Sequence, residues 1–239
     1  MAVIDARGGA GFDTGALQRL VGSSAAGPIL VEQYRTLAAT LNRAQGERPL
    51  KSLLVTSAAP GDGKSHVAVN LALTLSASYR RRVLLVDADL RRPTLHLLFQ
   101  VPGTSGLLDE LKAKGDDFVE GVQISETLTL LPAGGRQANP IGDLSSGRLG
   151  RLIASAASRF DWVIVDSPPV GGLADARIIS EAVDAAIVVI RAGVTRFPDL
   201  EGAADALGHD RILGVVLNAV DPLEIRREDY YSHYYDGTG

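Results

Sequence analysis

Ala58-Ala59-Pro60-Gly61-Asp62-Gly63-Lys64-Ser65 combines residue types and spacing suited to holding a polyphosphate. A small residue, four intervening positions and Gly-Lys-Ser make a P-loop, set between the apolar Leu53-Leu54-Val55 and the helix-like Val67-Ala68-Val69-Asn70-Leu71-Ala72. A buried strand that turns through glycines into a helix aims successive backbone N–H groups and the positive helix end at phosphate oxygens. Pro60, Gly61, Asp62 and Gly63 form the cradle, Lys64 neutralises the β- and γ-phosphates, and the Ser65 hydroxyl ligates Mg²⁺. A turn that only reverses the chain is the plainer alternative, and the strand before, the helix after and the Lys-Ser pair in register argue against it. His66 either brings its ring toward the α-phosphate or is an ordinary histidine on the helix surface.

Three carboxylates belong with this loop. Asp87 and Asp89 follow Val83-Leu84-Leu85-Val86, and Asp166 follows Trp162-Val163-Ile164-Val165, so each acid lies at or just past the carboxyl end of an apolar run. Open parallel sheets place ligands at that edge. Singly, such an acid serves equally as a helix cap or turn former. Beside a P-loop, the three suit Mg²⁺, which takes one or two carboxylates together with water and phosphate oxygens. Asp87 also has the chemistry of a general base. Asn218-Ala219-Val220-Asp221 has the Asn-x-x-Asp spacing of a guanine-binding loop, but Ala219 stands where lysine is expected, which favours ATP over GTP. Asn218 then either bonds a purine edge or ends its strand in a turn.

The elements that must position these residues alternate. Further apolar runs at Leu128–Leu131, Ala185–Ile190 and Ile212–Leu217 read as strands, and helical stretches are expected at Ile29–Leu41, Leu144–Ser158, Asp175–Ala182 and Pro198–Leu207. Near-continuous β-branched strands separated by helices call for an α/β P-loop NTPase fold, a parallel sheet covered on both faces. The domain expected is 29–222, preceded by a Gly/Ser/Ala-rich flexible arm, 1–28, and followed by a tyrosine-rich flexible tail, 223–239.

Composition narrows the function classes. With 239 residues and 46% hydrophobic content, one large α/β domain is the simplest organisation. Absent cysteine removes disulfides, zinc-thiolate sites and thiol nucleophiles, and His66, His96, His209 and His233 lack paired ligand spacing. No apolar run approaches ~18 residues and the first residues do not form a secretory signal, so a soluble, cytoplasmic protein is expected. A net charge of −4 gives no general reason to bind nucleic acid. Four of the six tyrosines, Tyr230, Tyr231, Tyr234 and Tyr235, crowd the tail between flanking acids. They are either phenols exposed for modification or an aromatic patch that docks on the domain or on a partner.

In combination, Ser57-Ala58-Ala59-Pro60-Gly61-Asp62-Gly63-Lys64-Ser65, Val86-Asp87-Ala88-Asp89-Leu90-Arg91-Arg92-Pro93, Phe160-Asp161-Trp162-Val163-Ile164-Val165-Asp166-Ser167-Pro168-Pro169-Val170 and the tyrosine tail resemble the bacterial tyrosine autokinases of polysaccharide export. The resemblance runs from about Glu32 to the C-terminus. It implies an ATP- and Mg²⁺-dependent kinase in which Lys64 and Ser65 belong to the P-loop, Asp87 and Asp89 to a second Walker-type motif, Asp166 to Walker B, and Tyr230, Tyr231, Tyr234 and Tyr235 to an autophosphorylated cluster. It further implies a membrane-anchored adaptor of the chain-length-regulator type that recruits the kinase to the inner face of the plasma membrane, self-association, and a cognate tyrosine phosphatase. The family's Glu-x-x-Arg-x-x-Arg association motif keeps Glu32 and Arg35 but has Ala38 last. The alternative is an ATP-hydrolysing dimerisation switch of the cell-division and partition type, whose signature lysine is replaced here by Ala59 and in which a tyrosine tail has no role.

Overall fold

Successive residues of a strand face opposite sides of its sheet, so an unbroken apolar run is stable only where both sides are covered. The computed structural model describes residues 20–21, 27–113 and 121–220 and meets that condition. Its elements are α1 (Pro28–Glu47), β1 (Ser52–Ser57), α2 (Lys64–Ala77), β2 (Val83–Asp87), α3 (Leu95–Leu98), α4 (Leu107–Lys112), β3 (Val122–Gln123), β4 (Leu128–Leu131), α5 (Ile141–Leu144), α6 (Arg148–Arg159), β5 (Trp162–Asp166), α7 (Asp175–Ser180), β6 (Ala185–Arg191), α8 (Phe197–Leu207) and β7 (Ile212–Asn218). One sheet results, in the order β3-β4-β2-β5-β1-β6-β7. All its pairs are parallel except β3 with β4.

Alternate residues divide the core in two. Leu53, Val55, Val83, Leu85, Trp162 and Ile164 pack under α1 and α2, whereas Leu54, Leu84, Val86, Val163 and Val165 pack under α4, α6, α7 and α8. Helix α2 lies between the sheet and α1 and is apolar almost all round, which is why Val67 to Leu71 show no amphipathic stripe. Helix α6 is amphipathic, with Leu149, Leu152, Ile153 and Ala156 inward.

The expected helix from Leu144 to Ser158 is two helices. Gly147 adopts a left-handed φ of 73° and the Ser146 hydroxyl donates to the Asp143 carbonyl, which stops α5 and restarts the chain as α6. Within the expected arm, Leu20 is fully buried against the α1–α2 face and Val21 N–H donates to Asn70 Oδ1 at 2.9 Å, so the chain is tied to the domain there. Among the described residues, no helix is long and apolar enough to cross a membrane.

Ala38 is 0% exposed on the inner side of α1. Ala38→Arg therefore forces a guanidinium into a filled core and is expected to cost roughly 2–4 kcal/mol, while Ala39→Arg on the exposed side costs almost nothing. Urea unfolding of the two variants measures this, and equal midpoints would mean that α1 does not pack as described.

Candidate active site

The P-loop is shaped from within. Gly61 and Gly63 take φ of 88° and 94°, and a Cβ on Gly63 would lie 2.0 Å from Asn218 Nδ2, so the turn requires glycine on both counts. Asp62, 2% exposed, turns its carboxylate into the protein, accepting from Ala59 N–H at 2.8 Å and from the Thr195 hydroxyl at 2.7 Å. Asn218 Nδ2 donates to the Asp62 carbonyl at 2.8 Å. The side chains of Asp62 and Asn218 thus brace the loop from the ends of β6 and β7. Thr195 carries no motif; its position just beyond a strand on the ligand edge is the only sequence signal that could have marked it.

Lys64 and Ser65 open α2, and the carboxylates face them. Parallel register sets Asp87 directly beside Asp166 on β2 and β5, and Ala88 N–H continues the ladder by donating to the Asp166 carbonyl at 2.8 Å. Both side chains are fully buried. Asp87 Oδ2 accepts from the N–H groups of Thr94 and Leu95 at 3.1 and 3.0 Å, leaving Oδ1 without a partner. Ser65 and Ser167 lie near Asp166, but neither meets it in hydrogen-bond geometry, so both its oxygens are unpartnered. Asp89 differs: Oδ1 accepts from Arg92 N–H at 3.0 Å and Oδ2 pairs with Lys64 Nζ at 3.2 Å. His66 is half-buried on the first turn of α2.

Electrostatics follows from this packing. Burial, then the Asp166 charge, pushes the Asp87 carboxyl up to about 8; burial pushes Asp166 up to about 6 against the pull of the Lys64 charge. Burial works against the Lys64 ammonium, yet the charges of Asp166 and Asp89 outweigh it and hold its pKa above the ordinary value. Three buried carboxylate oxygens without donors fit a cation. Among the described residues no three acidic or histidine side chains could hold an ion by themselves, so further ligands would have to come from the nearby Ser65 hydroxyl, water or phosphate, the habit of Mg²⁺.

Beside these acids, Arg91 grips Asp175 at the start of α7 with two bonds, Nε to Oδ2 at 2.6 Å and Nη2 to Oδ1 at 3.0 Å. Tyr230, Tyr231, Tyr234 and Tyr235 lie outside the described residues.

Comparison with known proteins bears on this arrangement. The ParA family, described as NUBPL iron-transfer P-loop NTPase, matches residues 50–218. The tyrosine-protein kinase YwqD of Bacillus subtilis is 36% identical over 207 residues, covering 85% of each chain. The chain belongs to the bacterial tyrosine-protein kinases. The kinase domain of the Escherichia coli tyrosine kinase ETK superposes with a TM-score of 0.73 at 30% identity, covering 80% of this chain and 76% of that one. The septum site-determining protein MinD of Pyrococcus horikoshii, solved with Mg-ADP, gives 0.59 at 26% identity over 70% and 69% of the two chains. The matched family is one of P-loop NTPases, and the MinD neighbour carries Mg-ADP.

The raised carboxyls carry a stability consequence. A folded-state pKa of about 8 for Asp87 against 3.8 unfolded means the native protein holds the extra proton between those values, so stability falls as pH rises from about 4 to 8. In EDTA without nucleotide, the melting temperature of the wild type should drop between pH 5 and 8. Asp87→Asn, whose amide oxygen can still accept from Thr94 and Leu95, should be the more stable protein at pH 8 and flatter across the range. A wild-type profile that rises over this interval would show that the pair is not buried as described.

Proposed function

We propose that this kinase transfers the γ-phosphoryl group of ATP to tyrosines of its own segment 230–235, and that this reaction regulates polysaccharide polymerisation and export together with a membrane adaptor. The observation that carries the reading is the pair of buried aspartates, Asp87 and Asp166, whose three unpartnered oxygens lie beside the charge of the P-loop lysine, a built site for a phosphate-bound cation. The four clustered tyrosines supply the acceptor.

Backbone N–H groups of Pro60-flanking Gly61, Asp62, Gly63, Lys64 and Ser65 bind the phosphates, with Lys64 moving from Asp89 to the β/γ oxygens. Ser65, Asp87 and Asp166 would hold Mg²⁺, which when bound neutralises charge on the phosphate oxygens and orients them. Asp89, with both oxygens engaged, keeps Lys64 over the site between turnovers and stands apart from the other metal-ligand candidates. The tyrosine oxygen attacks the γ-phosphorus, the bond to the β–γ bridging oxygen breaks, ADP leaves with the electron pair, and the phenolic proton passes to Asp87. Positioning and electrostatics supply most of such catalysis, so a strong base is not required. Asn218 retains an amide oxygen for a purine edge, and His66 a place beside the α-phosphate.

The adaptor, a second copy of the chain and a cognate phosphatase are the partners this reading requires, with the kinase cytoplasmic and drawn to the membrane by the adaptor. Incubation with Mg-ATP, followed by intact mass and phosphotyrosine detection, should find phosphate on residues 230–235. Lys64→Met should reduce the initial rate roughly 10²-fold or more while leaving the melting temperature of the ligand-free protein within a few degrees of wild type. Hydrolysis of ATP with no phosphotyrosine would instead mark a switch ATPase.

A further inference from the structure

The edge of the sheet that carries the site has an anionic floor and a cationic rim. Asp62, Asp87, Asp89 and Asp166 are all buried, while Arg92 and Arg136 are exposed on the loops that follow β2 and its neighbour β4. The two loops are fastened to each other: Gln137 N–H donates to the Leu90 carbonyl at 2.8 Å, Arg136 Nε to the Arg91 carbonyl at 2.9 Å, and Arg91 Nη1 to the Ala138 carbonyl. Among the described residues, neither Arg92 nor Arg136 forms an ion pair, whereas Arg196, on another loop of this edge, is neutralised by Asp199. Unpaired guanidiniums on fixed loops are ready partners for carboxylates.

Displacement geometry says what comes there. With the nucleotide on the P-loop at the end of β1, the attacking phenol must lie on the far side of the γ-phosphorus from the leaving diphosphate. Asp166 on β5 and Asp87 on β2 lie beside Lys64, which puts the γ-phosphate end of the nucleotide over those strands, so the line of attack continues toward β4 and the residues flanking the acceptor tyrosine pass over Arg92 and Arg136. Segment 228–236 carries the complementary charges, Glu228-Asp229 directly before Tyr230 and Asp236 directly after Tyr235. Five strand spacings separate β7 from β4, about 24 Å, and the ten residues from Val220 to Tyr230 extend to roughly 35 Å, so the segment is long enough to cross to that rim on its own or a neighbouring copy.

We propose that Arg92 and Arg136 are specificity residues that select tyrosines flanked by carboxylates, making an acidic tyrosine peptide, here residues 228–236, the substrate class of this kinase. The inference rests on the kinase reading above. A thermodynamic cycle on the full chain tests it: wild type, Arg92→Ala/Arg136→Ala, Glu228→Gln/Asp229→Asn/Asp236→Asn, and the combination of both sets, each assayed for initial phosphotyrosine formation at saturating Mg-ATP and low salt. Each set alone should slow transfer roughly three- to thirtyfold, the range for two exposed ion pairs, and the combination should be no slower than either set. Raising salt should slow the wild type and leave the arginine variant almost unchanged, Arg92→Lys/Arg136→Lys should recover part of the loss, and the affinity for ATP should be constant throughout. Losses that multiply in the combination, or an arginine variant that works at the wild-type rate, overturn this proposal and leave the kinase reading intact. Absence of phosphotyrosine from the wild type overturns both.

Discussion

Two carboxylates held side by side out of water are the constraint around which this domain is arranged. Their adjacency is a matter of register: parallel pairing of β2 with β5 puts Asp87 opposite Asp166, and a slip of one residue would send one of them to the other face of the sheet. Such a pair opposes folding, since burial and mutual repulsion both penalise the charged forms. The strands that carry it offset this by being apolar on both faces, with Leu84, Val86, Val163 and Val165 in one core and Val83, Leu85, Trp162 and Ile164 in the other. Local compensation is partial. Thr94 and Leu95 turn their N–H groups onto one oxygen of Asp87, and Lys64 lies close enough to lower Asp166, yet three oxygens stay without donors. In the proposed reading, a cation placed there would relieve a penalty that a fully satisfied pair would have removed internally.

The phosphate loop answers a related problem. A carboxylate inside an anion-binding turn would repel the ligand, and Asp62 avoids this by pointing both oxygens at internal donors, Ala59 N–H and the Thr195 hydroxyl. The same contacts, with Asn218 on the Asp62 carbonyl, join the P-loop to the ends of β6 and β7. Any ligand that shifts the loop therefore acts directly on the segment leading into α8 and on the last residue of β7, from which the chain continues toward its tyrosines.

Much of this was legible in the residues because the signals were local. The Gly-Lys-Ser register, the acid at the end of each apolar run and the β-branched composition of the strands locate the site and the parallel sheet without reference to long-range contacts. What stayed hidden was set by partners distant in sequence. The sequence does not show that pairing across more than 130 residues turns the Asp62 carboxylate inward onto Thr195 and sets the Asn218 amide against the loop. Leu20 lies in a stretch whose composition reads as unstructured, and only the pocket between α1 and α2 explains its burial. The break falls at Gly147, one of two glycines within the helical pattern, while Gly150 stays inside α6, and propensity alone does not say which of them interrupts the helix. The short α3, α4 and β3 contain too few residues for periodicity to register.

Arg91 shows how charge of both signs is kept apart at such short range. It stands two residues after Asp89 and feels that charge, so an unrestrained guanidinium would be drawn into the aspartate cluster and would occupy the place that suits a metal. The bidentate grip of Asp175, itself 1% exposed and fixed at the start of α7, prevents this, and the bond from Arg91 to the Ala138 carbonyl aligns the loop after β4 at the same time. One buried acid outside the site thus keeps a cation out of it. Arg92 and Arg136 are left facing solvent, so the floor keeps its negative charge and the rim its positive charge, the separation on which the proposed binding of a metal and of an acidic chain rests.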